Sequence, residues 1–216
     1  MEPKHKCTLL AVTCSTLMAM FAPGCASTPS QPAVHDYLST VSTLNLHMPV
    51  YINVEDLRPP LERESKMDGP YIYTADGDHP ENVAVGLGED LCKILDLKGI
   101  TDRPRVGRPG EIPPTDGIIV HIRLLSWYGR FPREGVTDKV FDVLLSQPIF
   151  AEGFCRFSAT LDVGGKVADL GIVEGKSIFQ INRKATVSKE GNTASALAAD
   201  KAIEQFVKSL ESHFLN

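Results

Sequence analysis

Apolar and polar residues alternate one for one in several stretches of the chain, the period of a strand with one buried face. From His47 to Leu57, Val50, Ile52 and Val54 fall on one side and Tyr51, Asn53 and Glu55 on the other, until Arg58-Pro59-Pro60 stops the run. From Ile118 to Tyr128, Ile118, Val120, Ile122 and Leu124 make an apolar face, with His121 and Arg123 opposite. The longest run follows. Ile149, Ala151, Gly153, Cys155, Phe157, Ala159, Leu161 and Val163 alternate with Glu152, Arg156, Ser158, Thr160 and Asp162. Gly164-Gly165 then supplies a two-residue turn that tolerates positive φ at both positions. It sets Leu161 opposite Ala168, Ala159 opposite Leu170 and Phe157 opposite Ile172, with Ile178, Gln180 and Asn182 extending the returning strand.

Two segments have the helical period instead. Val83, Leu87, Leu91, Ile94 and Leu95 recur at three- and four-residue spacing between Asn82 and Lys98, and Gly99 closes the segment. Cys92 falls on the flank of that stripe. Near the C-terminus, Asn192 or Thr193 can cap a helix in which Ala196, Ala199, Ile203, Phe206, Val207, Leu210 and Phe214 share a face. Residues 58–81, 100–116 and 186–193 are turn-rich and polar and read as loops. The pattern predicts an α+β domain of two layers in the order β-α-β-β-β-α, a largely antiparallel sheet of about four strands with two helices on one face.

The N-terminus follows a different logic. A basic start, Lys4-His5-Lys6, leads into an apolar or small run over residues 7–21, the n- and h-regions of a secretory signal. Pro23-Gly24 breaks the run short of the ~20 residues a spanning helix needs. Ala22-Pro23-Gly24-Cys25 resembles the lipobox of bacterial lipoproteins, with the small Gly24 before the cysteine but Ala22 where Leu is usual. That resemblance implies acylation of Cys25 and, with Ala26 rather than Asp next in line, residence at the outer membrane. Cleavage after Gly24 without lipidation is the plainer alternative. The expected organisation is a signal peptide over 1–24, a lipidated N-terminus and Ser/Thr/Pro/Gln-rich tether over 25–46, and one domain over 47–216.

Charge narrows the class. The chain has 22 Lys and Arg against 27 Asp and Glu, and loss of Glu2, Lys4 and Lys6 with the signal leaves an acidic mature protein. No basic stripe marks a nucleic-acid partner. Cys92 and Cys155, the cysteines left after processing and acylation, read as two unpaired thiols, Cys155 pointing into the core and Cys92 off the stripe of its helix, with a disulfide between them in an oxidising periplasm as the alternative.

Reactive constellations are near-misses. The sequence from Gly171 to Ser177 is one residue short of a phosphate-binding loop and continues as strand. Asp76, Asp78, His79 and Glu81 lack calcium-loop spacing and fit turn chemistry, so no metal and no cofactor is expected. The remaining candidate is a partner-binding surface. Trp127, Tyr128, Arg130, Phe131 and Arg133 concentrate the residue types of interface hot spots, and they lead into a helically spaced segment with Val140, Phe141, Leu144 and Leu145. On this reading Trp127→Ala weakens a partner contact without unfolding the domain; the plainer alternative is that the helical segment caps the end of the sheet and the aromatics fill the gap beneath it.

With its lipobox, a first strand ending in Asp56-Leu57-Arg58, a helix, a hairpin and a terminal helix, the chain resembles the YajG-like family of small outer-membrane lipoproteins over roughly residues 25–214. The resemblance implies a non-enzymatic envelope protein, held to the membrane by its lipid and facing the periplasm, with another envelope protein as partner. Two alternatives remain open: an accessory subunit of a lipid or lipopolysaccharide transport machine, and a periplasmic enzyme with a loop-borne site.

Overall fold

A computed structural model describes residues 42, 44–67, 69–101, 103–108, 111–113, 115–132, 149–181 and 187–215. The chain divides into two units, Met1–Pro32 and Ala33–Asn216, and every described residue lies in the second. Cys25, Arg133 and the segment from Val140 to Leu145 lie outside the described residues.

The domain is α+β, built on one open six-stranded sheet. In chain order the elements are β1 (Val50–Asp56), the short helix α1 (Pro60–Arg63), β2 (Tyr71–Tyr73), α2 (Val83–Leu97), β3 (Arg105–Val106), β4 (Ile118–Pro132), β5 (Ile149–Val163), β6 (Lys166–Ile181) and α3 (Asn192–Leu215). The sheet runs β3-β1-β4-β5-β6, with β2 also on β4. This differs from the expected four strands and two helices. β1 pairs in parallel with both β3 and β4, so the sheet is mixed. The extra elements α1, β2 and β3 are too short to show a period, and they come from stretches that read as loops.

Leu161 does pair with Ala168 across the Gly164-Gly165 turn, where φ is +59° and +84°. Beyond Thr160–Asp169 the register slips. A bulge places Ala159 opposite Gly171, which adopts φ +82°, and Phe157 opposite Val173. One extra residue in β6 exchanges its faces, so Val173 is buried while Ile172 and Ile178 are 55% and 63% exposed. The expected pairs Ala159–Leu170 and Phe157–Ile172 are therefore not formed, because Gly171 can take the left-handed conformation that lets the strand step.

One core joins both longer helices to the sheet, through Ile52, Leu87, Leu91, Phe157, Ile203 and Phe206 among others. Asn82 caps α2, its side-chain oxygen accepting from the N–H groups of Ala84 and Val85. Leu44 is also buried in this core, and the N–H groups of Ser42 and Leu46 donate to the carbonyls of Lys98 and Ile100. The domain's contacts thus begin upstream of the expected boundary at residue 47.

Helix α3 lies on the sheet backbone itself. A Cβ on Gly129, Gly153 or Gly175 would sit 2.0, 1.8 and 1.8 Å from the carbonyl oxygens of Gly191, Ala194 and Ala198. Glycines on three neighbouring strands thus form a trench for a helix face of Ala194, Ala198 and Ala202, all fully buried. Ser177 on β6 donates its hydroxyl to the Ala194 carbonyl at 2.6 Å. This seating turns Ala196, expected on the buried stripe, to the exposed side. Farther along, Gln205 accepts from the N–H of Glu174, and the Lys201 ammonium donates to the Lys176 carbonyl, so α3 also covers part of the outer edge of β6.

The opposite edge of β4 is closed in pieces. β1 covers residues 118–124, after which β4 bulges between Leu124 and Ser126. The Glu62 carboxylate then accepts from the Ser126 hydroxyl, at 3.1 Å, and from the Trp127 N–H. Thr74 takes the next place, its Oγ1 accepting from Gly129 N–H while its own N–H donates to the Gly129 carbonyl. β2 covers residues 130–132. Burial raises Glu62 above the ordinary carboxylate range, although the Trp127 and Ser126 donors oppose the rise.

Candidate functional site

Alternation along β4 divides the expected partner-binding residues between two faces. Trp127 and Phe131 point to the helix side and are 8% and 4% exposed. Trp127 pairs across the sheet with the fully buried Cys155, and Phe131 joins a small core with Ala151, Ile181 and Ala194. Their side chains therefore offer no surface to a partner, and truncating Trp127 is a core change rather than an interface change. The physical reason is the strand period: a run rich in hot-spot residues presents only every second one. Arg133 lies outside the described residues.

Tyr128 and Arg130 are on the face away from the helices, and they anchor a row of aromatic and cationic groups. The Arg130 guanidinium lies 4.3 Å from the Tyr71 ring centroid and ion-pairs with Glu152 at 2.6 Å. Tyr128 stands between Tyr73, at 5.5 Å, and Phe154, at 5.4 Å, while the Lys176 ammonium is 5.5 Å from the Phe154 ring. Such offset and edge-on contacts stabilise the row, in which Tyr73 is buried while Tyr71, Tyr128, Arg130 and Phe154 stay half-buried. A hollow of about 460 Å³ runs among Tyr128, Arg130, Phe154, Lys176 and Ile178. Among the described residues no helix covers this face, and Phe150, Ile172 and Ile178 add exposed apolar area.

A second concavity, of about 320 Å³, opens on the helix side between the first turns of α2 and α3. His79, Glu81, Leu87, Asp90, Trp127 and Asn192 line it. The His79 ring meets the Trp127 ring edge-on at 6.3 Å. Burial, and after it the Arg58 guanidinium, lowers the His79 imidazole below its ordinary value, and burial raises Asp90. Sequence reading did not find this cavity, because its walls come from four separate segments.

The other candidates have structural explanations. Asp76 accepts from the buried Arg58, and Asp78 accepts from the Ala75 N–H, holding the turn. Among the described residues no group of three or more His, Cys, Asp or Glu side chains is arranged to hold a metal. The Gly171–Ser177 stretch lies wholly within β6, with no helix start after it to receive a phosphate. Cys92 and Cys155 are both free thiols; burial pushes Cys92 up to about 11 and Cys155 higher, away from nucleophilic use.

The sequence matches no protein-family model and no curated protein. Solved structures loosely similar to this chain include two proteins. One is protein XCC0632 from Xanthomonas campestris, described with the family model DUF330, at 9% identity and a TM-score of 0.40, covering 82% of this chain and 90% of that one. The other is the hypothetical protein CT253 from Chlamydia trachomatis, at 11% identity and a TM-score of 0.37, covering 76% of this chain and 96% of that one. Likenesses this distant leave the function to be argued from the chain's own residues.

Proposed function

We propose that this protein is an outer-membrane lipoprotein whose periplasmic domain binds another envelope protein through the uncovered face of its sheet and catalyses no reaction. The observation that carries the binding role is the row Tyr71, Tyr128, Phe154, Arg130 and Lys176 on the sheet face that the two longer helices leave uncovered. Aromatic rings fixed by their neighbours lose little entropy when a partner covers them, and Arg and Tyr are the side chains that most often dominate interface energies. The anchor is supported by the signal-like run ending at Cys25. Acyl chains contribute about 0.8 kcal/mol per buried CH₂, so a multiply acylated Cys25 would hold the domain at the membrane.

Photo-crosslinking in cells tests the face. A photoreactive amino acid at Tyr128 is expected to yield a discrete adduct with an envelope protein. The same group at Lys208, which is 64% exposed on α3, should not. An adduct with an outer-membrane barrel or a transporter subunit would further support a transport-accessory role. Failure at Tyr128, or equal adducts from both positions, would contradict the binding face.

A further inference from the structure

The N-terminal segment joins the domain at one end of the sheet. The Ser42 N–H donates to the Lys98 carbonyl at the close of α2, and its hydroxyl donates to Glu211 near the close of α3, at 2.5 Å. Leu44 is buried just beyond, and the Leu46 N–H donates to the Ile100 carbonyl. Four strands reach the same level there, with Val50, Ile118, Val163 and Lys166 side by side. The last turns of α3 flank the start of β6, where Asp169, Lys208 and His213 line a shallow groove. The C-termini of both longer helices, the start of β1 and the Gly164-Gly165 turn are therefore gathered where the chain arrives from Cys25.

Three large apolar side chains are exposed at this end. Leu97 closes α2, Leu215 closes α3 and Val167 follows the hairpin turn, and they are 56%, 59% and 70% exposed. A single exposed leucine needs no explanation, but here three such groups share the end to which the tether is fixed. The exposed charges among them are of both signs, Lys166 and Lys208 with Asp96 and Asp169, so the end is not a basic patch for anionic lipid. The tether says what covers it. Residues 26–41 separate Cys25 from Ser42, and fewer than twenty residues reach no farther than about 70 Å even when fully extended. With Cys25 held in a bilayer, contact between this end and the lipid is intramolecular, at an effective concentration on the order of millimolar.

We propose that the tether end of the domain, capped by Leu97, Val167 and Leu215, docks on the lipid surface in which Cys25 is anchored. The inference rests on the proposed anchor and adds an orientation to it. Three side chains would not retain a free domain on lipid, but a tethered one has already lost the freedom that a second contact costs. Docked in this way, the strands run away from the membrane. At about 3.3 Å per residue along β4 from Ile118, Tyr128 and Arg130 stand roughly 30–40 Å above the lipid. The aromatic row is thereby held out from the bilayer, open to its partner.

Bromine on lipid acyl chains quenches an indole that touches them, which reads the contact directly. The mature chain, with a hexahistidine tag in place of Cys25, is held on phosphatidylcholine vesicles by nickel-chelating lipid, so the test does not depend on acylation in cells. Its own Trp127, buried and far along β4, should be quenched little by brominated lipid. Val167→Trp is expected to lose about half of its emission, the share of one tryptophan in two. Leu61→Trp, on α1 beyond the far end of β1 and 58% exposed, should stay unquenched. Adding Leu97→Asp and Leu215→Asp to Val167→Trp should cut the quenching roughly twofold or more, with circular dichroism unchanged. An unquenched Val167→Trp overturns the proposal. So does equal quenching of Val167→Trp and Leu61→Trp, which would mean that the domain has no preferred end. An unacylated Cys25 in cells would remove the anchor while leaving the vesicle result standing, so the two readings fail separately.

Discussion

Gly153→Ala is expected to lift helix α3 off the sheet and cost more than about 3 kcal/mol, above the usual range for overpacking. The added methyl would stand 1.8 Å from the Ala194 carbonyl oxygen and 2.6 Å from the Ser177 hydroxyl. Neither can withdraw freely. The carbonyl is helix backbone and already accepts from Ser177, and the same face of α3 is held down one and two turns farther on, where Ala198 and Ala202 lie against Gly175 of β6. Because domains are stable by only about 5–15 kcal/mol, this single carbon would remove a large share of the total. The melting temperature should fall by roughly 6 °C or more. Gly77→Ala is the matched control: nothing lies within 4 Å of its added Cβ, and its φ is not positive. Its effect should stay within about 0.5 kcal/mol. Urea unfolding of both variants checks the pair, and a Gly153→Ala protein as stable as the control would show that α3 does not seat on the sheet as described.

The second large effect is expected at Arg58, which closes the end of β1. Arg58 is 3% exposed, and its guanidinium meets Asp56 through two bonds, Nε to Oδ1 at 3.0 Å and Nη2 to Oδ2 at 2.8 Å. The remaining Nη1 reaches Asp76 at 2.9 Å and so ties the loop before α2 to the strand. Arg58→Ala would strand Asp56, whose side chain is 19% exposed. We expect a loss of about 3 kcal/mol, the lower end of the range for breaking a buried pair, because Asp76 is 43% exposed and can recover water. Arg58→Lys should recover little, since an ammonium cannot reproduce the two-pronged contact with Asp56.

The same pair has a pH signature. Burial pushes Asp56 upward, but the hydrogen bonds and charge of Arg58 outweigh it and hold the carboxyl below its ordinary value. A depressed carboxylate contributes stability above its unfolded pKa, about 3.9, and loses it as pH falls through the folded value. The stability gap between wild type and Arg58→Ala should therefore be full at pH 7 and narrow below about pH 4. A gap that stayed constant into acid would mean that the Asp56 pair is not what Arg58 contributes.

How far the sequence could be read depended on the length of each pattern. The alternations in β1, β4 and β5 and the stripe of α2 are long enough to average out exceptions, and most of their apolar positions are buried as expected, although Tyr51 on the polar side of β1 is buried as well and Val54 only half-buried. β6 was legible only as far as Asp169, because one residue, Gly171, absorbs an extra step and reverses the parity of everything after it. The glycine trench was present in the letters, as Gly153 at an inward position of β5 and alanines at 194, 198 and 202. Small residues at matching periods on a strand and a helix signal close approach, yet neither segment reveals which helix meets which strand. Glu62 was invisible because its role is set by a bulge in β4, far away in sequence. The composition of 127–131 drew attention to β4, but strand parity assigned Trp127 and Phe131 to the core and left Tyr128 and Arg130 on the face proposed to bind a partner.

The proposed tether at Cys25 is tested most directly by palmitate labelling. Cells expressing the wild type or Cys25→Ser would be fed radiolabelled palmitate and fractionated. Label and outer-membrane residence are expected in the wild type, both lost together in Cys25→Ser. An unlabelled wild-type protein recovered in the soluble periplasmic fraction would contradict it.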